Sequence, residues 1–246
     1  MQWLRADLHV HSLLSPCAAV EMTPRNIIRN AVAAGVDIVA ITDHNAGDNV
    51  AAALRAAVGS GVTVLPGMEV QTREEVHLLT LFEKMRDFVI WCDFIKQHRS
   101  PLQNDERKFG AQFVVDESDE LVRIEPAMLL ASTDLSVQQA AEQAHSLGGL
   151  VIAAHVDRPA YSLISQLGFI PPELRLDAVE FSRNADGPSA QRRIAVIGDL
   201  PVVHSSDAHT IEDFVTGPKT MFHVESPTLA EMRQALEAGN GRRIQR

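Results

Sequence analysis

The stretch ADLHVHSLLSPCA, residues 6–18, sets two histidines two positions apart at the end of an apolar run and places a cysteine in the loop beyond. Alternate side chains of an extended chain share a face, so His9 and His11 point the same way and can offer two nitrogens to one ion. Taken alone, the pair is also compatible with two half-buried histidines bonded to nearby backbone. The helix and strand after this loop decide the fold. In TPRNIIRNAVAAG, residues 23–35, Thr23 is an N-cap, Pro24 fits the first helical position and Gly35 supplies a stop. Ile27, Ile28, Ala31 and Val32 make an apolar helical face, and the strand VDIVAIT comes at once after it.

Working outward, the rhythm continues as βαβαβ. A second helix spans residues 48–58, and VTVLPGME and HLLTLF (residues 62–69 and 77–82) read as strands. Residues 83–135 break the alternation with a helix, EKMRDFVIWCDFIKQH, and a hairpin, AQFVVDESDELVRI, turning at residues 117–120; this segment reads as an insertion that hangs over one rim. Its aromatics are expected to form its own core. Helix SVQQAAEQAHSLGG, strands LVIAAH and DAVEFS, helix SAQRRIAVIG, strands PVVHSS and TMFHVE and helix TLAEMRQALEAG complete the chain. Seven or eight strand–helix units imply a parallel sheet covered by helices and closed, or nearly closed, into a barrel; an open doubly wound sheet is the alternative. The barrel is favoured because polar residues collect where strands end: His9 and His11, Asp43 and His44, Glu69, His155, then Asp207 and His209.

The chain has 246 residues, 46% hydrophobic and 22% charged, which suits one domain with a sizeable core. No apolar run is long enough to cross a bilayer, and the amino terminus reads as mature sequence, so a cytoplasmic location is expected. Cys17 and Cys92 are too few for a disulfide framework. A formal charge of −10 argues against broad binding to duplex nucleic acid, while leaving room for a small phosphorylated ligand. Carboxylates that hold cations also contribute to that charge.

Recurrence of the same residue types at one strand end after another turns the His9–His11 pair into part of a larger metal site. Imidazole with carboxylate suits zinc, iron or manganese rather than calcium, and more than one ion is expected. His98 and His145 fall on helices, and His204 and His223 within strands, where packing roles are expected.

At this point the sequence resembles the polymerase and histidinol phosphatase (PHP) superfamily of metal-dependent phosphoesterases. The resemblance is carried by DLHVHS (residues 7–12), ITDHN (41–45), GME (67–69), EVHLL (75–79), AAH (153–155) and SDAH (206–209). It implies a distorted (β/α)7 TIM-like barrel over residues 1–246, with the insertion at 83–135, whose rim holds two or three divalent ions. By position, His9, His11, Glu69 and Asp207 would bind the first, and Glu69 would bridge to a second held by His77 and His155. A third would use His44, His209 and a loop residue. In relatives that last ligand is often an Asp seven, or a His eight, residues beyond the first His of the pair; here those positions are Pro16 and Cys17. Cys17 therefore either supplies a thiolate or merely packs beside a weak third site. Asp7 and Asp43 would orient ligands, and Asp43 is also a candidate to handle a proton.

The implied reaction is attack of a metal-bridging hydroxide on a small phosphomonoester, a nucleotide or the 5′ end of a short oligonucleotide. Arg158, three residues past His155, is the first candidate to bind phosphate oxygens, and similar phosphoesterases carry an arginine in this loop. Arg183, beyond the next strand, is the second. Histidinol phosphatase is the alternative enzyme. A metal-binding structural PHP module of the kind attached to replicative polymerases is the alternative that is not an enzyme.

Overall fold

Residues 1–183 and 196–245 are described by the computed structural model. Nine strands form one sheet: β1 (Gln2–Val10), β2 (Ile38–Ile41), β3 (Thr63–Gln71), β4 (His77–Leu81), β7 (Leu150–Ala153), β8 (Ala178–Phe181), β9 (Val202–His204), β10 (Thr220–Val224) and β11 (Arg243–Gln245). Their order is β11-β10-β1-β2-β3-β4-β7-β8-β9. The two ends of the chain's barrel meet where Val10 bridges Ala208 in parallel, with His11 N donating to Ala208 O at 3.0 Å. Lower down, His204 N donates to Thr220 Oγ1 at 2.8 Å. The sheet thus curls into a nearly closed barrel, as the clustering of polar strand ends requires.

The expectation of a parallel sheet is corrected. Pairs β1/β2, β2/β3, β7/β8 and β8/β9 are parallel, but β4 runs antiparallel to both β3 and β7, and β10 runs antiparallel to β1 and β11. The physical reason at β4 is the connection. Residues 72–76 close a tight turn, with Thr72 N donating to Val76 O and Glu75 at φ 59°, whereas a parallel neighbour needs a crossover of about a dozen residues.

Helix α1 (Pro24–Ala34) has the caps its sequence announces: Thr23 Oγ1 accepts from Asn26 N, and Gly35 takes the left-handed conformation at φ 63°. Helix α2 (Val50–Ala56) is shorter than expected. The insertion comprises α3 (Met85–His98), the single turn α4 (Glu106–Phe109) and the hairpin of β5 (Phe113–Val115) with β6 (Leu121–Ile124). Phe88 and Trp91 of α3 are fully buried beside Phe82. The segment is tied to the barrel rim, since Phe113 N donates to Leu13 O, and Asn45 Nδ2 donates to Leu129 O at 2.9 Å and to Ala131 O at 3.0 Å. Four more helices complete the described residues: α5 (Val137–Ser146), α6 (Leu163–Leu167), α7 (Ile211–Thr216) and α8 (Leu229–Leu236). The short α6 and α7 and strand β11 carry too few residues to show a period in sequence. The helix expected over residues 189–198 lies largely outside the described residues. No described helix is long and apolar enough to cross a membrane.

Two apolar layers alternate along the strands. Val39 and Ile41 join the layer under the helices, whereas Ile38 and Ala40 join the barrel interior with Leu65, Leu79, Leu81, Leu150 and Ile152. Helix α8 closes the interior from below through Leu229, Met232 and Leu236. Gly67, of the GME motif, is closely packed within β3: a Cβ there would meet Thr42 Cγ2 at 2.8 Å and Leu81 Cδ2 at 2.9 Å. Gly67→Ala should therefore cost about 1–3 kcal/mol and lower the melting temperature by roughly 2–10 °C in a thermal denaturation scan.

Candidate metal centre

Backbone irregularities aim the site. In β1, Ala6 and Leu8 face the barrel interior, but Val10 belongs to the outer layer. The register against β2 shifts between Asp7 and Val10, and this bulge turns His9 and His11 inward together. In β3 and β4 plain alternation suffices, placing Glu69, Gln71 and His77 on the interior face with Leu65 and Leu79. His155 would fall on the outer side with Val151 and Ala153, yet its φ of 30° redirects it, and its Nε2 lies 3.2 Å from Glu69 Oε1. Asp207 likewise sits at φ 49°. Such left-handed non-glycine residues cost about 1–3 kcal/mol each and persist where a site holds them.

Glu69 is the hub. Its Oε1 lies 3.2 Å from His9 Nε2, 2.8 Å from His77 Nδ1 and 3.2 Å from His155 Nε2. Its Oε2 lies 2.9 Å from His44 Nδ1 and 3.5 Å from His11 Nε2. Asp207 Oδ1 is 3.3 Å from both His9 Nε2 and His11 Nε2. His209 stacks on His11 with centroids 4.3 Å apart, and its Nδ1 lies 3.0 Å from Asp207 O.

The outward ring nitrogens explain why the inward ones are free to bind an ion. His9 Nδ1 donates to Glu180 Oε1 at 2.9 Å, His11 Nδ1 to Ser15 Oγ at 3.0 Å, and His77 Nε2 to Gln71 Oε1 at 3.2 Å. Each bond fixes the tautomer that leaves the other nitrogen's lone pair facing the centre. His9 Nε2 and His11 Nε2 are then 3.1 Å apart with lone pairs converging, and His44 Nδ1 and Glu69 Oε2 are both buried without a well-directed hydrogen bond. Divalent cations shared among the groups His9–His11–Glu69, His44–Glu69–His77 and His11–His44–His209 would satisfy these donors, so the residues fit a metal. Without one, protons take its place. Burial alone would depress His9, but Asp207, Glu180 and Glu69 outweigh it and hold the ring well above its usual range. Burial likewise opposes ionisation of Glu69, which His77, His9 and His44 nevertheless hold well below the carboxylate range. His44 is pushed up to about 10 against its own desolvation, by Glu69 and Cys17. In Cys17 burial acts upward, but hydrogen bonds with His209 and His44 bring the thiol to about 7.

All nine residues expected as ligands are brought to this rim. The other expected residues divide. Arg158 lies at the cavity, its guanidinium paired with Asp207. Arg183 does not: it bridges to Asp213 at 2.7 Å and to Ser206 O at 2.9 Å, which engages its guanidinium away from the cavity. Asp43 is fully buried among Ser12 and Ser15, accepting from Ser12 N at 2.7 Å, Ser12 Oγ at 2.6 Å and Ser15 Oγ at 2.7 Å. It is linked to His11 through Ser15, whose Oγ lies 3.0 Å from His11 Nδ1, and it is not among the residues that line the cavity. Asp7 accepts from Ser206 N at 3.0 Å and pairs with Lys219 Nζ at 3.0 Å, tying the first motif to the last.

Glu180, Gln71, Lys219 and Tyr161 are missed by sequence reasoning. A carboxylate inside the apolar run DAVEFS is the available signal for Glu180; nothing in sequence marks the others. Glu180→Gln weakens the acceptor for His9 Nδ1–H and should reduce metal affinity roughly 10–100-fold in a calorimetric titration. Tyr161 is at φ 57°, accepts from His77 N at 3.0 Å, and stacks on the His77 ring with centroids 4.9 Å apart.

A family model matches residues 7–164 of this chain, that of the PHP domain. The chain belongs to the PHP domain family. No curated protein matches the sequence. Among solved structures, the PHP chain is similar to the lesion-specific endonuclease PfuEndoQ of Pyrococcus furiosus, with a TM-score of 0.75 and 21% identity, over 99% of this chain and 58% of that one. A complex of Endonuclease Q with a 27-mer duplex bearing an abasic lesion at its active site aligns with a TM-score of 0.71 and 20% identity, over 98% of this chain and 58% of that one. A protein of Bifidobacterium adolescentis assigned as a metal-dependent phosphoesterase aligns with a TM-score of 0.57 and 21% identity, over 83% of this chain and 87% of that one. These likenesses establish the fold. The chain thus spans little more than half the length of the endonuclease.

Proposed function

We propose that this PHP protein is a metal-dependent hydrolase of phosphoric esters that acts on a small phosphomonoester, a nucleotide or the 5′ end of a short oligonucleotide. The observation that carries the reading is the convergence of five imidazoles on the two oxygens of one buried carboxylate, Glu69, with Asp207 closing the far side. His9, His11, Glu69 and Asp207 would hold one divalent ion, Glu69, His77 and His155 a second, and the corner at His44 and His209 a third. Zinc, iron or manganese fits this set. Ions bound there supply an acidified water, neutralise phosphate oxygens and steady the leaving oxygen.

The protein's own residues do the rest. Glu69 and Asp207 keep the inward nitrogens of His9 and His11 in register, and the outward bonds to Glu180 and Ser15 stop those rings from rotating. Arg158 reaches the centre from the loop after His155 with its side chain 40% exposed, so its guanidinium can leave Asp207 for a phosphate oxygen. The cavity of about 260 Å³, bordered by Leu130 of the insertion and by Tyr161, suits a terminal phosphate and a small leaving group. The test is phosphate release from mononucleotides, short 5′-phosphorylated RNA and histidinol phosphate by protein loaded with manganese, iron or zinc. Mononucleotides or the RNA should be the best substrates. A histidinol phosphate rate far above the others would overturn the substrate class in favour of the histidinol phosphatase alternative. Tight metal binding with no phosphoester hydrolysed would favour the structural module instead.

A second reading, cleavage of duplex DNA at a lesion, is supported by the likeness to Endonuclease Q in complex with such a duplex. The charge of −10 counts against it, though bound cations reduce that charge. An abasic duplex belongs in the same assay, and its preferential cleavage would favour this reading.

A further inference from the structure

Tyr161 is a bulky residue in the left-handed region, at φ 57°, and it is 45% exposed. A strained and exposed aromatic side chain gains little from packing, and such outliers collect where a ligand is held. The loop around it is braced. Tyr161 O accepts from His77 N at 3.0 Å, Arg158 N donates to His155 O at 2.9 Å, and Ser162 Oγ donates to Arg158 O at 2.8 Å. Ser162 is itself fully buried and caps α6. The loop that carries Arg158 therefore carries, three residues on, an aromatic ring at the border of the same cavity. One face of that ring lies on His77, with planes 19° from parallel, so what the ring exposes is its other face and its edge. Leu130 borders the cavity from the insertion and is half-buried. The carbonyls on either side of it, Leu129 O and Ala131 O, both accept from Asn45 Nδ2. Just beyond, Gln71 Nε2 donates to Ser132 Oγ at 2.9 Å and Thr133 N donates to Gln71 O at 2.9 Å. Both apolar groups are thus tied to the β3–β4 hairpin, Leu130 by way of Gln71 and Tyr161 by way of His77.

We propose that the Tyr161 ring, with Leu130 at the same cavity, forms a subsite that stacks the nucleobase of the substrate, so that a nucleotide is preferred to a phosphomonoester without a planar ring. The inference rests on the proposed phosphoesterase reading and names the leaving-group chemistry which that reading leaves open. Stacking suits the place because every base has a flat face, and an aromatic ring fixed beforehand loses little freedom when a base settles on it. Arg158, on the same loop, then meets the phosphate while Tyr161 meets the base.

The test compares 5′-AMP with ribose 5-phosphate, which presents the same sugar and phosphate without the base, on protein loaded with manganese. In the wild type, kcat/KM for AMP should exceed that for ribose 5-phosphate roughly 10–100-fold. Tyr161→Ala should bring that ratio close to one with its metal content unchanged. Tyr161→Phe should keep the ratio, because the ring face and not the hydroxyl carries the contact, and Leu130→Ala should lose part of it. Circular dichroism of each variant confirms that it is folded. A calorimetric titration of the wild type with adenosine should show binding where ribose shows none, a readout that needs neither turnover nor a variant. A wild type that hydrolyses both esters with no preference for AMP overturns the inference alone, as does a folded, metal-loaded Tyr161→Ala that keeps the preference. A wild type that hydrolyses neither ester overturns the phosphoesterase reading, and the adenosine titration then decides the subsite by itself, with absence of binding overturning it.

Discussion

Glu69→Gln is expected to abolish hydrolysis and to strip the centre of its ions. The substitution keeps the volume and loses the charge that five histidines share. Its amide would place N–H donors against inward lone pairs of His9, His44 or His77, which lie 3.2, 2.9 and 2.8 Å from the carboxylate. Metal-derived charge stabilisation is worth several kcal/mol, so kcat/KM should fall on the order of 10³-fold or more. Inductively coupled plasma analysis of the dialysed variant should find less than half the metal of the wild type. The fold should survive, because removing a buried negative charge from among imidazoles lets those rings become neutral. A Glu69→Gln protein with full activity and full metal content would be incompatible with Glu69 as the hub.

Arg158→Ala should lower kcat/KM on the order of 10²–10³-fold, the usual loss when one donor aimed at developing charge is removed. Metal content should be unchanged, since a guanidinium is no metal ligand and Arg158 meets the proposed ligand Asp207 as its ion-pair partner. That split between metal content and rate separates a phosphate-binding role from a structural one. Arg158→Lys should recover part of the rate, because an ammonium restores the charge but not the two-pronged geometry of a guanidinium. Steady-state kinetics on a single mononucleotide, with metal content measured on the same samples, gives the comparison.

The barrel and most of its rim are legible in the sequence because each strand ends in a chemically distinct residue. His9, His11, Glu69 and His155 end apolar runs directly, and His44, Asp207 and His209 follow one within a few residues. Cap chemistry at Thr23 and Gly35 is equally plain, since it depends on local backbone needs. What stays hidden depends on contacts across the fold. The direction of β4 is set by a five-residue turn that the alternating rhythm obscures. Glu180 lies 171 residues from the His9 ring it orients, and Lys219 pairs with Asp7 from the opposite end of the chain. Arg183 shows the converse: its position past a strand end resembles that of Arg158, but Asp213 on α7 claims it. Asp43 combines both cases. Its motif position is visible in sequence, but the bonds from Ser12 and Ser15 that bury it are not.

The most direct test of the centre is an anomalous-diffraction experiment on crystals soaked with manganese or zinc and phosphate. Peaks are predicted between His9, His11, Glu69 and Asp207, and between Glu69, His77 and His155, with phosphate oxygens facing Arg158. An active crystal form with no anomalous density inside this rim, or with ions held only elsewhere, would contradict the account.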